Sequence, residues 1–189
     1  MHGRTGGMRD RALRLSSHPP SSLFSSPSYV FNGFFMSMRS KFTVAGESIF
    51  YYLVEWNSAD LSWADFRNKV LGPTDPADAP KDSLRGLIMQ DWQKLGLKAE
   101  PNVGDNGVHA SASPFEALAE RLNWCGATLA TDSFGSDLLK SGLSAATVGK
   151  WSVDPQVMQP EGKNGSLFDS LEDMDAADCL DKCVLLNSL

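Results

Sequence analysis

The sequence has no apolar run approaching the roughly 18 residues that a membrane-crossing helix needs. Its three cysteines are too few for a disulfide framework and point to a reducing compartment. Cys179 and Cys183 could share a helix face, but no further Cys or His stands ready to complete a ligand set, so zinc is not expected. Histidine is as scarce. His2 and His18 fall in the first 33 residues, and His109 is alone in the rest of the chain. Gly135-Ser136-Asp137-Leu138-Leu139-Lys140-Ser141 lacks a glycine before its lysine, where the backbone of a phosphate-binding loop must approach the phosphates. There is no internal repeat.

Cations are scarce in the body. The whole chain carries 17 Lys+Arg and 23 Asp+Glu, a formal net charge of −6. Residues 1–41 hold six of the cations against Asp10 alone, so the remainder is strongly acidic. An acidic body disfavours nonspecific nucleic-acid binding. Any polyanion site must be built locally, from a few cations or backbone N–H groups.

What is present suffices for one domain with tails: 189 residues, 42% apolar and 21% charged. Residues 1–33 read as a disordered, basic, Ser/Pro-rich leader. A mitochondrial transit peptide has the same composition, but Pro19, Pro20 and Pro27 interrupt the amphipathic helix it needs. Residues 48–56, Ser-Ile-Phe-Tyr-Tyr-Leu-Val-Glu-Trp, predict a buried strand. Ser62 and Asp65 resemble a capping box, with Trp63, Phe66 and Val70 on one helical face and Gly72 as the stop. Three prolines in residues 73–80 require a loop. A helix is expected from Ser83, an exposed excursion over 90–105, and a short strand over 106–111.

Ser113-Pro114-Phe115-Glu116 is a strong helix start, and Phe115, Leu118, Ala119 and Leu122 form that helix's apolar stripe. Helices are expected at 136–142 and, capped by Ser144, at 145–151. Residues 155–165 read as a linker with an Asn-Gly turn. Residues 167–184, dense in Asp and Glu, read as a solvated helix or disordered tail.

Four segments together resemble the nucleoside diphosphate kinases. Asn106-Gly107-Val108-His109-Ala110-Ser111-Ala112-Ser113 is similar to that family's active-site strand, Asn-x-x-His-Gly-Ser-Asp-Ser. Val70 to Asp78 resembles its Leu-Gly-x-Thr-Asn-Pro-Ala-Asp segment, and Ser83-Leu84-Arg85-Gly86 its Thr-Ile-Arg-Gly. Glu120 and Trp124 stand at the family's distances from Ser113.

The resemblance covers residues 34–124. It implies an α+β, ferredoxin-like βαββαβ core, with a helical extension over 125–154 and the linker and acidic tail over 155–189. It also implies transfer of a γ-phosphoryl group from a nucleoside triphosphate to a diphosphate. His109 would be the phosphoryl acceptor, Glu120 would orient its ring, and Ser111 would support Glu120. Arg85 would clamp phosphate, Thr74 and Asn106 would bind phosphate and ribose, and Phe34 would lie under the base. Mg²⁺ would arrive with the nucleotide, held by its phosphates. On spacing alone Glu120 lies about 140° around the helix from the apolar stripe, a solvated position.

The departures from the family are expectations in themselves. The chain has no Lys-Pro pair, so the family's first strand and its Lys-Pro-Asp-Gly motif are expected to be missing. That strand would lie between 48–56 and 106–111, leaving both without a partner. A second family arginine falls on Asn68, with Arg67 adjacent. Losing two charge-assisted hydrogen bonds, at about 1.5–3 kcal/mol each, predicts transfer weakened about 10²–10⁴-fold. Ala110 replaces a glycine and adds strain if the backbone there has positive φ. The alternative to a weakened enzyme is a degenerate kinase-like domain kept for assembly or interaction, or a chain cut short at its start. Nucleoside di- and triphosphates are the expected partners, with no nucleic acid or membrane, and homo-oligomers could form through the 73–80 loop. A cytoplasmic location is expected, with mitochondrial and cytoskeletal or flagellar placements as alternatives.

Overall fold

The computed structural model describes residues 48–189, with Met36, Arg39, Ser40 and residues 43–46. The expected leader and Phe34 lie outside the described residues. The chain divides into two units, Met1–Leu53 and Val54–Leu189.

Residues 48–56 are not a strand, and most are not buried. Phe50 and Tyr52 are 91% and 87% exposed. Composition gave this segment its β-propensity, but a strand exists only through a neighbour that takes its N–H and C=O groups. Among the described residues no strand lies beside it.

The second unit mixes helix and sheet. Its described residues form seven α-helices and one two-stranded antiparallel sheet. Helix α1, Trp63–Asp65, is capped by Ser62, whose Oγ accepts from the Asp65 N–H at 3.1 Å. It runs on into a π-helical turn, Phe66–Leu71, closed at Gly72 with φ of 97°. The wider turn moves the buried face on by one residue. Leu71 is therefore the inward residue, and Val70, expected there, is exposed. Trp56 stacks on Phe66 with centroids 4.5 Å apart and leans on Trp63 at 5.0 Å.

Helix α2, Leu84–Asp91, begins at Ser83, whose Oγ accepts from the Gly86 N–H at 3.1 Å and donates to the Pro80 carbonyl at 2.7 Å. That closeness excludes any side chain at 86, where a Cβ would stand 1.9 Å from the Pro80 oxygen. A one-turn 3₁₀ helix, Pro76–Asp78, sits within the proline loop. Residues 92–105 are largely exposed, as expected.

Residues 106–111 are not a strand either. Three carbonyls here, those of Val108, Ser111 and Ala112, are satisfied one at a time. Val108 accepts from Arg85, Ser111 from the Trp63 indole and Ala112 from the Asp173 N–H. Side chains and a turn thus do what a neighbouring strand would otherwise do. Ala110 does not have positive φ, so the expected strain is absent there.

Helix α3, Pro114–Trp124, opens at Ser113 as expected. Helix α4, Ser133–Lys140, starts three residues earlier than expected because Asp132 caps it, its Oδ1 accepting from the Gly135 N–H at 2.9 Å. Helix α5, Ala145–Trp151, follows Ser144.

Two expectations then fail. The linker at 155–165 is a hairpin of β1, Gln156–Met158, and β2, Asn164–Ser166, in antiparallel register with Val157 opposite Gly165. The tail is two helices, α6, Leu167–Leu171, and α7, Ala176–Asn187, neither of them a solvated appendage. Leu167 and Leu171, and then Cys179, Cys183 and Leu186, recur at helical spacing and fall on inward faces. The acidic residues take the outer faces.

These five side chains join Phe115, Leu118, Phe134, Leu138, Leu143, Val148 and Trp151 in one core. Helix α3 packs on α4, α6 and α7, so that core runs unbroken from 115 to 186. The Cys183 thiol is pushed up by its hydrogen bond with Cys179 and by burial, and both thiols are free. The architecture is mixed α and β in the broad sense. No described helix is long and apolar enough to cross a membrane.

Candidate functional site

The four resembling segments lie within residues 70–124, and a few side chains join them. Arg85, at the start of α2, is buried. Its Nη1 donates to the Gly72 carbonyl at 2.7 Å, and its Nη2 and Nε donate to the Val108 carbonyl at 2.9 and 3.3 Å. One guanidinium therefore pins the end of the π turn to the residue before His109. Only the planar fork of arginine can span two carbonyls in this way. Burial lowers its pKa, and the nearby Arg67 charge lowers it further.

Asn106 is buried, and its Nδ2 donates to the Thr74 carbonyl at 3.0 Å. Its Oδ1 is buried with no hydrogen-bond partner among the described residues. Thr74 itself is exposed at the rim of the proline loop.

His109 lies on the exposed side of its segment. Two residues on, the Ser111 hydroxyl donates to the Glu120 carboxylate. Glu120 is exposed, as its helical position predicts, and the chain of 109–111 comes round to meet it. Glu116 also faces this segment, with Oε2 accepting from the Ala112 N–H at 3.0 Å. Trp124, the last residue of α3, is exposed.

Sequence reasoning missed the residues that hold this arrangement from behind. The Trp63 indole N–H donates to the Ser111 carbonyl at 3.0 Å. The Trp63 backbone N–H donates to Oδ1 of Asp175 at 2.7 Å. Arg67 Nη1 donates to Glu172 at 2.9 Å and to Asp173 at 2.5 Å. The available signal was the apolar spacing beneath the acidic run, which obliges residues 172–175 to turn between two buried helix faces. Among the described residues no three His, Cys, Asp or Glu side chains converge to hold a metal ion.

Burial pushes the Glu116 carboxyl up, and the Glu120 and Glu172 charges add to this, while the Ala112 N–H and Arg67 oppose it. A carboxyl raised on folding binds its proton more tightly in the native state. Stability then falls as pH rises from the unfolded value through the folded one, and levels off above. Glu116→Gln keeps an acceptor for Ala112 and removes the charge. It is expected to raise the melting temperature at about pH 7, with the gap to the parent closing on acidification towards about pH 4. Thermal denaturation followed across that range is the check.

No family model, curated protein or solved structure matches the chain.

Proposed function

We propose that the chain is a nucleoside diphosphate kinase-like phosphotransferase, weakened by a depleted phosphate clamp, that acts through phospho-His109. One observation carries this reading. Residues from all four resembling segments meet through specific bonds: Arg85 to Gly72 and Val108, Asn106 to Thr74, and Ser111 to Glu120. A neutral imidazole nitrogen of His109 would attack the γ-phosphorus. The bond from phosphorus to the bridging oxygen would break, releasing the diphosphate. A second diphosphate would then take the phosphoryl group from the ring.

Glu120, held by Ser111 two residues beyond His109, would orient the ring. The buried Oδ1 of Asn106 is an acceptor suited to a ribose hydroxyl. Mg²⁺ would enter with the nucleotide, held by its phosphates. The finer expectations stay attached to this reading: a ferredoxin-like ancestry for residues 34–124, and copies meeting through the 73–80 loop.

A second reading, an assembly module that has lost catalysis, is favoured by the exposed apolar run at 49–54. Incubation with γ-labelled ATP separates the two. The expected result is acid-labile, alkali-stable label that disappears in His109→Ala. Absence of label at any protein concentration would leave the module reading in possession.

A further inference from the structure

Residues 172–175 connect α6 to α7 and join the Trp63–Arg67 turns to Ala112, three residues after His109. Glu172 and Asp173 hold Arg67. Asp175 holds the backbone of Trp63, and the Asp173 N–H donates to the Ala112 carbonyl at 2.9 Å. Arg67 stands near enough to Arg85 for the two charges to oppose each other. Of the two guanidinium groups, Arg85 is buried against the Gly72 and Val108 carbonyls, which leaves Arg67 as the one of the pair facing the 172–173 carboxylates. The chain answers that charge with its own carboxylates.

We propose that Glu172 and Asp173 are an internal stand-in for a phosphate group on Arg67, and that residues 172–175 form a displaceable latch docked at Ala112, the end of the His109 segment. The identity of the competing ligand as a polyphosphate rests on the function proposed above; the competition for Arg67 does not.

The geometry makes the latch releasable. The two carboxylate side chains are 48% and 39% exposed and that of Arg67 is 23% exposed, so the ion pairs are largely wet and exchangeable. An arginine binds a phosphate through two parallel hydrogen bonds, whereas each of these carboxylates meets the same single Nη1. Asp173 has φ of 61°, a conformation that Asp and Asn tolerate better than most residues. The backbone bond to Ala112 and the Asp175 contact do not involve the two latch carboxylates, so the segment can stay docked while the latch charge is removed.

The test uses the full chain and inorganic tripolyphosphate, with binding measured by calorimetry at fixed low ionic strength. Glu172→Gln with Asp173→Asn keeps shape and the positive φ. This pair is expected to tighten binding about tenfold, equivalent to about 1.4 kcal/mol. Adding Arg67→Met should abolish the gain. Asp60→Asn with Glu161→Gln makes the same charge change at exposed positions elsewhere and should alter affinity less than twofold.

Equal tightening in the pair and the control, or no tightening in the pair, overturns the latch. A lower melting temperature with unchanged affinity also overturns it, because that is the mark of a merely structural ion pair. If the double variant does not fold, Glu172→Gln alone carries the test, with about threefold tightening expected. Tighter tripolyphosphate binding without label on His109 would sink the kinase reading and leave the latch standing. Label on His109 with unchanged affinity would do the reverse.

Discussion

Ending the chain after Gly165 is expected to abolish cooperative unfolding of the remainder. The cut removes Leu167, Leu171, Cys179, Cys183 and Leu186, five of the twelve residues of the buried core. At about 1.5–3 kcal/mol for each large apolar side chain withdrawn from water, the loss is on the order of 10 kcal/mol. That is comparable with the whole stability of a typical domain, about 5–15 kcal/mol. The partners left behind are Phe115 and Leu118 on α3 and Leu138 on α4, all fully buried in the intact chain. Circular dichroism should show a shallow, non-sigmoidal melt and reduced helicity. A milder variant checks the same claim within a folded chain: Leu171→Ala should cost about 2–5 kcal/mol, read as a lower urea midpoint with unchanged slope. A tail of the kind the acidic composition implied would tolerate both changes without effect.

That contrast shows where sequence reasoning stops. Local signals were legible because they act within a few residues. Ser62, Ser83, Ser113 and Ser144 each cap the helix that follows, and Gly72 ends the π turn. The signals that failed depend on partners. Residues 48–56 have strand composition but no neighbouring strand among the described residues, and within 106–111 the Val108 and Ser111 carbonyls go to side chains. Residues 167–187 were read by their charges, which face water, although their spacing of Leu and Cys decides where they pack. The same division runs through the candidate site. Spacing alone left Glu120 on the solvated side of its helix, and only the family resemblance pointed to its contact with Ser111. The hold of Asp175 on Trp63 spans more than one hundred positions, and no local pattern announces it.

Arg85 ties Gly72 to Val108 within the candidate site, and its replacement should cost more than any exposed substitution nearby. Arg85→Met fills much the same volume and removes the donors to Gly72 and Val108. Two effects oppose each other. Among the described residues no carboxylate pairs this buried charge, so removing it relieves desolvation; this is the direction in which its pKa is shifted. Against that, each hydrogen bond from a charged donor contributes about 1.5–3 kcal/mol, and a buried carbonyl left unsatisfied costs about 1–3 kcal/mol. With two carbonyls at stake, the second effect is the larger, and a net loss of about 2–4 kcal/mol is expected from urea denaturation. Arg85→Lys should fall between the two, because one ammonium cannot point along both directions at once. The functional readout is sharper. Val108 is the residue before His109, so releasing its carbonyl frees the segment that presents the imidazole. On the kinase-like reading proposed above, label on His109 should then drop at least tenfold at temperatures where the variant is still folded, since a misplacement of about 1 Å can cost 10²-fold. Full labelling in a folded Arg85→Met chain would show that this guanidinium holds the scaffold together without positioning the histidine.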